Sequence, residues 1–408
     1  MTDATVSTRS ATARVAGTRE RWKMGVEARA LLLVTACLLA FGLAVLYSAS
    51  ALAVSKGVTY ESYFFTRQII GALVGGVLFA AAAKINVEHW RKIAWPLMIV
   101  SIVLMLVLVL PFTLSIAPVV GGSRRFLSRG SIQPSELAKL AVVIWTAMLL
   151  VKKGEAVRRL GKGLLPFLLV IGLLSELAVL EPDLSVAATF CLLMALLLFV
   201  AGARVAHFVL LAALAFPLLV QQAMARPYVR ERMRSFFAKE SSQQTTDDPA
   251  AAVSSQQRQA LIAIGSGRVF GVGFGEGNQQ RGWTPLAYND FIASVVGEEF
   301  GFIGITLLIL AFVGYGWLGF RIARKARSPF CALIAVGLTF TTVFTAFVHI
   351  GVCIALLPNT GLTLPFVSGG RSNLVLTMLM TGMIVNIGSE RERVYGASAT
   401  DPLSALPA

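Results

Sequence analysis

A succession of long apolar blocks, parted by short polar stretches, constrains this chain more than any other feature. A helix needs about 20 mostly apolar residues to cross the hydrocarbon core of a bilayer. Blocks of that order fall near 30–51, 67–84, 93–113, 136–151, 164–180, 184–201, 204–223, 291–320, 330–356 and 373–388. Only 14% of residues are charged and 56% are hydrophobic, whereas ordinary soluble domains are about 25% charged. That composition excludes a soluble enzyme, a disordered polymer and a coiled coil. The blocks do not alternate with period two, which argues against a porin-like barrel. The expected fold is an all-α polytopic membrane protein of about ten transmembrane helices.

Lys and Arg in short loops set orientation. With the N-terminus inside, the basic clusters Arg9 to Arg29, Arg91-Lys92, Lys152-Lys153 with Arg158-Arg159, Arg321 to Arg327, and Arg391 with Arg393 all fall on the cytoplasmic side. Ten spans satisfy this pattern and leave the C-terminus inside too. The net charge of +15 then reads as topology signal and lipid contact, with no nucleic acid implied. Residues 1–29 form a basic cytoplasmic tail, 30–390 the membrane domain and 391–408 a second cytoplasmic tail. Ala49-Ser50-Ala51 imitates a signal-cleavage site, but the block before it is span-length, so an uncleaved anchor is expected.

One stretch departs from the short-loop pattern. Residues 224–290 form a large external loop between spans seven and eight, and loops of such length are usually functional or disordered. Gln243 to Ser255 is low in complexity and reads as a flexible insertion. Its flanks carry Arg230, Arg232, Arg234 and Lys239 on one side, and Arg258, Arg268 and Arg281 on the other. This basic content calls for an anionic partner outside.

Several motifs can be dismissed. The glycine run 264–277 lacks the spacing and lysine of a nucleotide loop, so its glycines are expected to let a loop fold closely over the membrane. His89, His207 and His349 are scattered and form no metal site. Cys37, Cys191, Cys331 and Cys353 sit in apolar stretches without paired spacing, which points to packing. Chemistry must then come from carboxylates and basic residues. Pro134-Ser135-Glu136 suits a helix start, and Lys139 is placed either to pair with Glu136 or to meet an external anion. Glu181 and Asp183 bracket a tight turn, with Asp183 suited to capping. Asp290 stands at the mouth of an apolar helix, as an N-cap or as a working carboxylate. Glu298 and Glu299 follow two turns later, at membrane depth if the helix is continuous, where carboxylates are costly and usually functional or partnered.

The strings QPSELAKL (133–140), EPDLSVA (181–187), QALIAIGSG (259–267), NDFIASVVGEEFGFIG (289–304) and ALLPNTGLTLPFVSGGRSN (355–373), in that order and spacing, resemble the SEDS (FtsW/RodA) family of membrane glycosyltransferases. The likeness runs from about residue 30 to 390. GLTLPF (361–366) looks closer to the division branch, FtsW, than to the elongation branch, RodA.

The resemblance implies a peptidoglycan glycosyltransferase that polymerises lipid II at the outer face of the bacterial plasma (inner) membrane and releases undecaprenyl pyrophosphate. Asp290 occupies the position of the family's essential aspartate and suits a general base. The leaving pyrophosphate needs positive charge, from a divalent cation (Mg or Mn) with unknown protein ligands, or from Arg124, Lys139 and Arg258. Glu136, Phe126, Ser368 and Arg371 complete the substrate-binding set that the resemblance suggests. Departures from the family pattern are Phe126 for Trp, Asn289 for Thr, Ala260 for Ser, His349 for Asn, and Arg371 within a loop that usually reads Ser-Tyr-Gly-Gly-Ser-Ser. The implied partners are a class B penicillin-binding protein and other divisome membrane proteins. This chain itself contains no transpeptidase motif set. Ala332, Ala335 and Gly337 offer a lipid-facing small-residue surface where a partner helix can dock. A RodA-like elongation polymerase, a precursor flippase and a non-catalytic scaffold are the competing readings.

Overall fold

The computed structural model describes residues 19–51, 54–55, 58–59, 61–110, 124–127, 132–181, 183–204, 249–277 and 289–394, with single residues at 206, 224 and 230. In chain order the elements are β1 (Arg19–Met24), α1 (Val26–Ala51), β2 (Val54–Ser55), β3 (Val58–Thr59), α2 (Glu61–Lys84) and α3 (Glu88–Val109). Next come α4 (Pro134–Lys153), α5 (Leu165–Leu180), α6 (Leu184–Val200), α7 (Pro249–Ser266), α8 (Ile292–Arg324), α9 (Pro329–Cys353), α10 (Arg371–Ile387) and β4 (Ser389–Val394). A 3₁₀ turn and a π turn link α4 to α5. Six of these helices (α1, α2, α3, α4, α8 and α9) are long and apolar enough to cross a membrane, and α5, α6 and α10 are shorter apolar helices. Each matches an apolar block read from the sequence. The block at 204–223 lies outside the described residues, apart from Arg204 and Ala206.

Helix starts follow local chemistry. Pro134 and Pro329 occupy first-turn positions of α4 and α9, where a missing N–H costs nothing. The hydroxyl of Ser328 accepts from Cys331 N at 3.2 Å, and Asp183 accepts from Val186 N at 3.3 Å to cap α6, as its sequence position suggested.

Packing sorts the helices into a buried centre and a lipid-facing rim. From Ala138 to Leu150 every residue of α4 is buried, with α3, α6, α9 and α10 around it. By contrast α2 and α3 expose much of their apolar surface, Leu73 and Val77 among it. In water such a surface is costly, whereas hydrocarbon tails match it. α10 lies along α2, and α8 lies against α1 and α9.

β1 and β4 pair antiparallel, Arg19 opposite Val394 and Met24 opposite Ser389, so both tails leave from one end of the bundle. The register sets Glu20 opposite Arg393, Arg21 opposite Glu392, and Lys23 opposite Glu390, an arrangement that favours pairing. Glu27 meets Arg321 and Lys325 at the same end, and Arg327 donates to the Ser389 carbonyl. Helix α1 begins at Val26 and β4 runs past 391, so both expected tail boundaries fall inside regular elements.

Two expectations need correction. Ala335 is fully buried, and a side chain at Gly337 would meet Val143 Cγ1 at 2.6 Å and Leu197 at 3.3 Å. The Ala332–Gly337 stretch is therefore an internal seam against α4 and α6 and not a lipid-facing docking surface. Small residues permit close approach on either side of a helix. The supposed flexible insertion 243–255 is helical from Pro249 onward, because PAAAVSS joins a helix-favouring run with Pro in the first turn. Its first residues, 243–248, lie outside the described set.

Candidate active site

Asp290 stands half-buried at the end of the bundle opposite the tails. The N-cap of α8 is Phe291, one position beyond the N-cap expected from the sequence. The Asn289 amide donates to Asp290 Oδ1 at 3.0 Å. Behind this pair lies a buried polar relay. Ser368 Oγ donates to the Asn289 carbonyl at 2.8 Å and accepts from Leu364 N at 2.8 Å. Gln68 of α2, itself buried, donates to the Ser368 carbonyl at 2.9 Å. Buried bonds of this kind contribute about 1 kcal/mol each, and leaving one partner unsatisfied costs more.

The segment 354–370, between α9 and α10, organises this end of the molecule. Gln257 of α7 donates to Leu357 O at 2.9 Å, Ser185 of α6 to Thr360 O at 3.1 Å, and His349 Nδ1 meets Leu362 O at 2.8 Å. Phe366 has φ 66, a strained conformation for an aromatic residue. Its carbonyl would strike a Cβ at Gly42 of α1, so only glycine lets the segment seat there. Five helices, α1, α2, α6, α7 and α9, thus converge on the loop that fixes the Asp290 turn.

α8 is not continuous. Gly301 has φ 64 and ψ −159, a break that separates a half-helix, 292–300, from the long remainder. The glycine run 267–277 repairs the break, as its composition suggested. Val272 N donates to Glu298 O at 2.9 Å and Gly273 N to Glu299 O at 3.1 Å, while Phe302 N and Ile303 N donate to Arg268 O and Val269 O at 2.8 and 3.2 Å. Non-helical backbone at membrane depth requires such partners. A Cβ at Gly267 or Gly271 would strike the Gly297 or Glu299 carbonyl. Glu298 and Glu299 are both buried, and Glu299 accepts from Ser48 Oγ and from Gly275 N, the latter at 3.1 Å.

The basic candidates are spread around the site. Arg124 donates to Leu110 O at 3.1 Å, and Phe126 is half-buried nearby in sequence. Lys139 is buried and paired with Glu136 at 2.8 Å. Arg258 is exposed on α7 beside the buried anchor Gln257. Arg371 opens α10, half-buried, its Cγ 3.0 Å from where a Cβ of Gly71 would lie. Ser368 is joined to the Asp290 turn through the Asn289 carbonyl and Arg371 follows it at the start of α10, whereas Glu136 and Lys139 satisfy each other.

The structure adds a residue that the sequence reading missed, Arg125, beside the Glu181–Asp183 turn that it had singled out. Arg125 pairs with Asp183 at 3.3 Å and approaches Gly361. Glu181 is buried, and desolvation with the neighbouring Asp183 charge pushes its carboxyl up to about 9, Arg125 opposing only in part. Among the described residues no group of three or more His, Cys, Asp or Glu gathers to hold a metal.

Known proteins share this architecture. The family model described as a cell cycle protein, FtsW/RodA/SpoVE, matches residues 29–393. A probable peptidoglycan glycosyltransferase FtsW of Trichlorobacter lovleyi is 33% identical over 361 residues, 88% of this chain and 92% of that protein. The FtsW of Methylomonas methanica, with the same description, is 36% identical over 85% of this chain and 88% of its own length. Stage V sporulation protein E of Bacillus subtilis is 33% identical over 88% and 95%. Among solved structures, a chain of a peptidoglycan synthase complex coordinating polymerization and crosslinking superposes with TM-score 0.68 at 23% identity, over 88% of this chain and 96% of that one. The rod shape determining protein RodA of Thermus thermophilus gives 0.61 at 24%, over 88% and 95%. A match across 29–393, with relatives at this identity covering most of both chains, establishes that this chain belongs to the FtsW/RodA/SpoVE family.

Proposed function

We propose that this chain polymerises lipid II as an inverting peptidoglycan glycosyltransferase serving cell division. The observation that carries the reading is Asp290, a partly accessible carboxylate held by the buried Gln68–Ser368–Asn289 relay in a member of this family. The Asp290 carboxylate takes the proton of the acceptor sugar hydroxyl, whose oxygen attacks the donor's anomeric carbon from the face opposite the pyrophosphate. The bond from that carbon to the leaving oxygen breaks. One displacement converts the α-linked donor to a β-linked product without a covalent enzyme intermediate. Arg124, Arg258 and Arg371 are the groups assigned to the leaving pyrophosphate, with Phe126 beside them against the substrate. Lys139 and Glu136 support the site as a buried pair.

The membrane setting belongs to the same proposal. Basic residues at the tail end, Lys152, Lys153, Arg321 and Lys325 among them, support a cytoplasmic tail face and an extracytoplasmic Asp290 in the bacterial inner membrane. Ten spans are supported by chain direction, since α6 ends near the tail face, with Arg158 by Gly202, whereas Gln257 binds at the Asp290 face. The relatives named FtsW and the GLTLPF segment favour a division role and a class B penicillin-binding protein as partner.

The broken α8 favours a second reading, a lipid-precursor flippase, because transporters place substrate sites at interrupted helices. Purified protein given fluorescent lipid II in detergent separates the two. Glycan polymer that disappears in Asp290→Asn supports the polymerase, and a lack of polymer with or without the transpeptidase overturns it.

A further inference from the structure

The half-helix 292–300 is mounted at both ends. At its start, Ser368 holds the Asn289 carbonyl at 2.8 Å. At its end lies Glu299, a residue only 1% exposed, whose side chain accepts from Ser48 of α1 and from Gly275 of the glycine run. The glycine run adds the backbone bonds across the Gly301 break. A buried carboxylate at membrane depth is expensive, and nothing in the proton transfer assigned to Asp290 uses it.

Length shows what the second mount does. At about 1.5 Å per residue the two ends of this segment lie about 13 Å apart. A tilt of about 5° about one end moves the other by about 1 Å at that length. Misplacement on that scale costs about 100-fold in rate. The Gly301 break uncouples the half-helix from the long part of α8, so its direction must be fixed by other contacts. Glu299 ties it through Ser48 to α1, the helix that also seats the 354–370 segment at Gly42.

We infer that Glu299 is a positioning residue for Asp290, holding the half-helix on axis by joining Ser48 and Gly275. The inference rests on Asp290 as the base. Glu299→Ala is expected to lower kcat about 10- to 100-fold while KM for lipid II changes less than about 2-fold, because substrate contacts are untouched. Glu299→Gln keeps an acceptor oxygen for both donors and should restore kcat to within a few-fold. Ser48→Ala should lower kcat modestly and add nothing in the Glu299→Ala background.

The experiment is steady-state lipid II polymerisation by the full-length chain, with the folded fraction of each variant measured by size-exclusion chromatography. A kcat for Glu299→Ala equal to wild type overturns the inference, as does a loss explained wholly by the folded fraction. A Gln variant as impaired as Ala overturns it too, since charge and not hydrogen bonding would then matter. If Glu299→Ala does not insert, Ser48→Ala decides by a lowered or an unchanged kcat. Asp290→Asn run alongside keeps the two failures apart. If it stays active, the base assignment falls and the positioning role with it. If it is dead while Glu299→Ala is normal, only the positioning role falls.

Discussion

The Ser368 hydroxyl donates to the carbonyl of Asn289 at 2.8 Å, which ties the loop before α10 to the residue beside Asp290. Seventy-nine positions of sequence separate the two, so the site exists only when α8, α9 and α10 have packed.

Asp290→Asn should abolish polymerisation and leave the melting temperature within about 1 °C of wild type. The amide keeps the shape and can still meet Asn289, but it cannot take a proton. Polymer yield and thermal unfolding of the same preparation check this, and an active Asn variant sinks the base assignment.

Ser368→Ala removes one acceptor and one donor from buried partners, so it should destabilise by about 1–3 kcal/mol and lower kcat. Gln68→Leu should do the same through the Ser368 carbonyl. Because both act on one relay, the double variant should fall short of the sum. Additive losses in turnover would show that the relay is not a unit.

Glu136 and Lys139 form a buried pair, so either single Ala variant leaves a buried charge and should cost about 3–5 kcal/mol. Lys139→Met with Glu136→Leu should be milder than either. A double-mutant cycle on melting temperature and on lipid II KM tests this. A loss confined to KM in Lys139→Ala would return the lysine to the substrate.

Glu181 gives a pH signature. Its carboxyl is pushed up to about 9 in the folded protein, above its unfolded value, so the folded state binds the proton more tightly. The stability this contributes is full below the unfolded pKa and is lost as pH rises toward 9. Glu181→Gln should flatten the fall in melting temperature between pH 5 and about 9. Parallel curves for the two proteins would refute it.

Gly337→Leu should destabilise the bundle, since a side chain there meets Val143, and any loss of partner recovery should follow the folded fraction. Partner capture lost from fully folded protein would restore an exposed seam.

The apolar blocks, and the position of Asp290 at the mouth of one, were legible because each is written in contiguous sequence: a span is a run, and its mouth is the first polar residue beyond it. Gln68 was not, since one amide at the start of an apolar block looks like an ordinary helix end until its partner across the bundle is known. The α8 break had a trace in the spacing of Gly297, Gly301 and Gly304, but the repair needs a second segment supplying amides. The Ala335–Gly337 error shows the same limit, as small residues mark close approach without naming the neighbour. Complementary charges in RERWKM and SERERV could have revealed the tail pairing if the two ends had been compared.

That pairing makes the polypeptide nearly a closed ring. Arg19 and Val394 are strand neighbours, about 5 Å apart, so a few residues could bridge them without disturbing a span. Circular permutation is then open to a multi-pass protein, with new ends cut in the low-complexity stretch before Pro249. Such a permuted chain would insert α8 first and the 204–223 block last, separating the order of membrane insertion from the packing that builds the site.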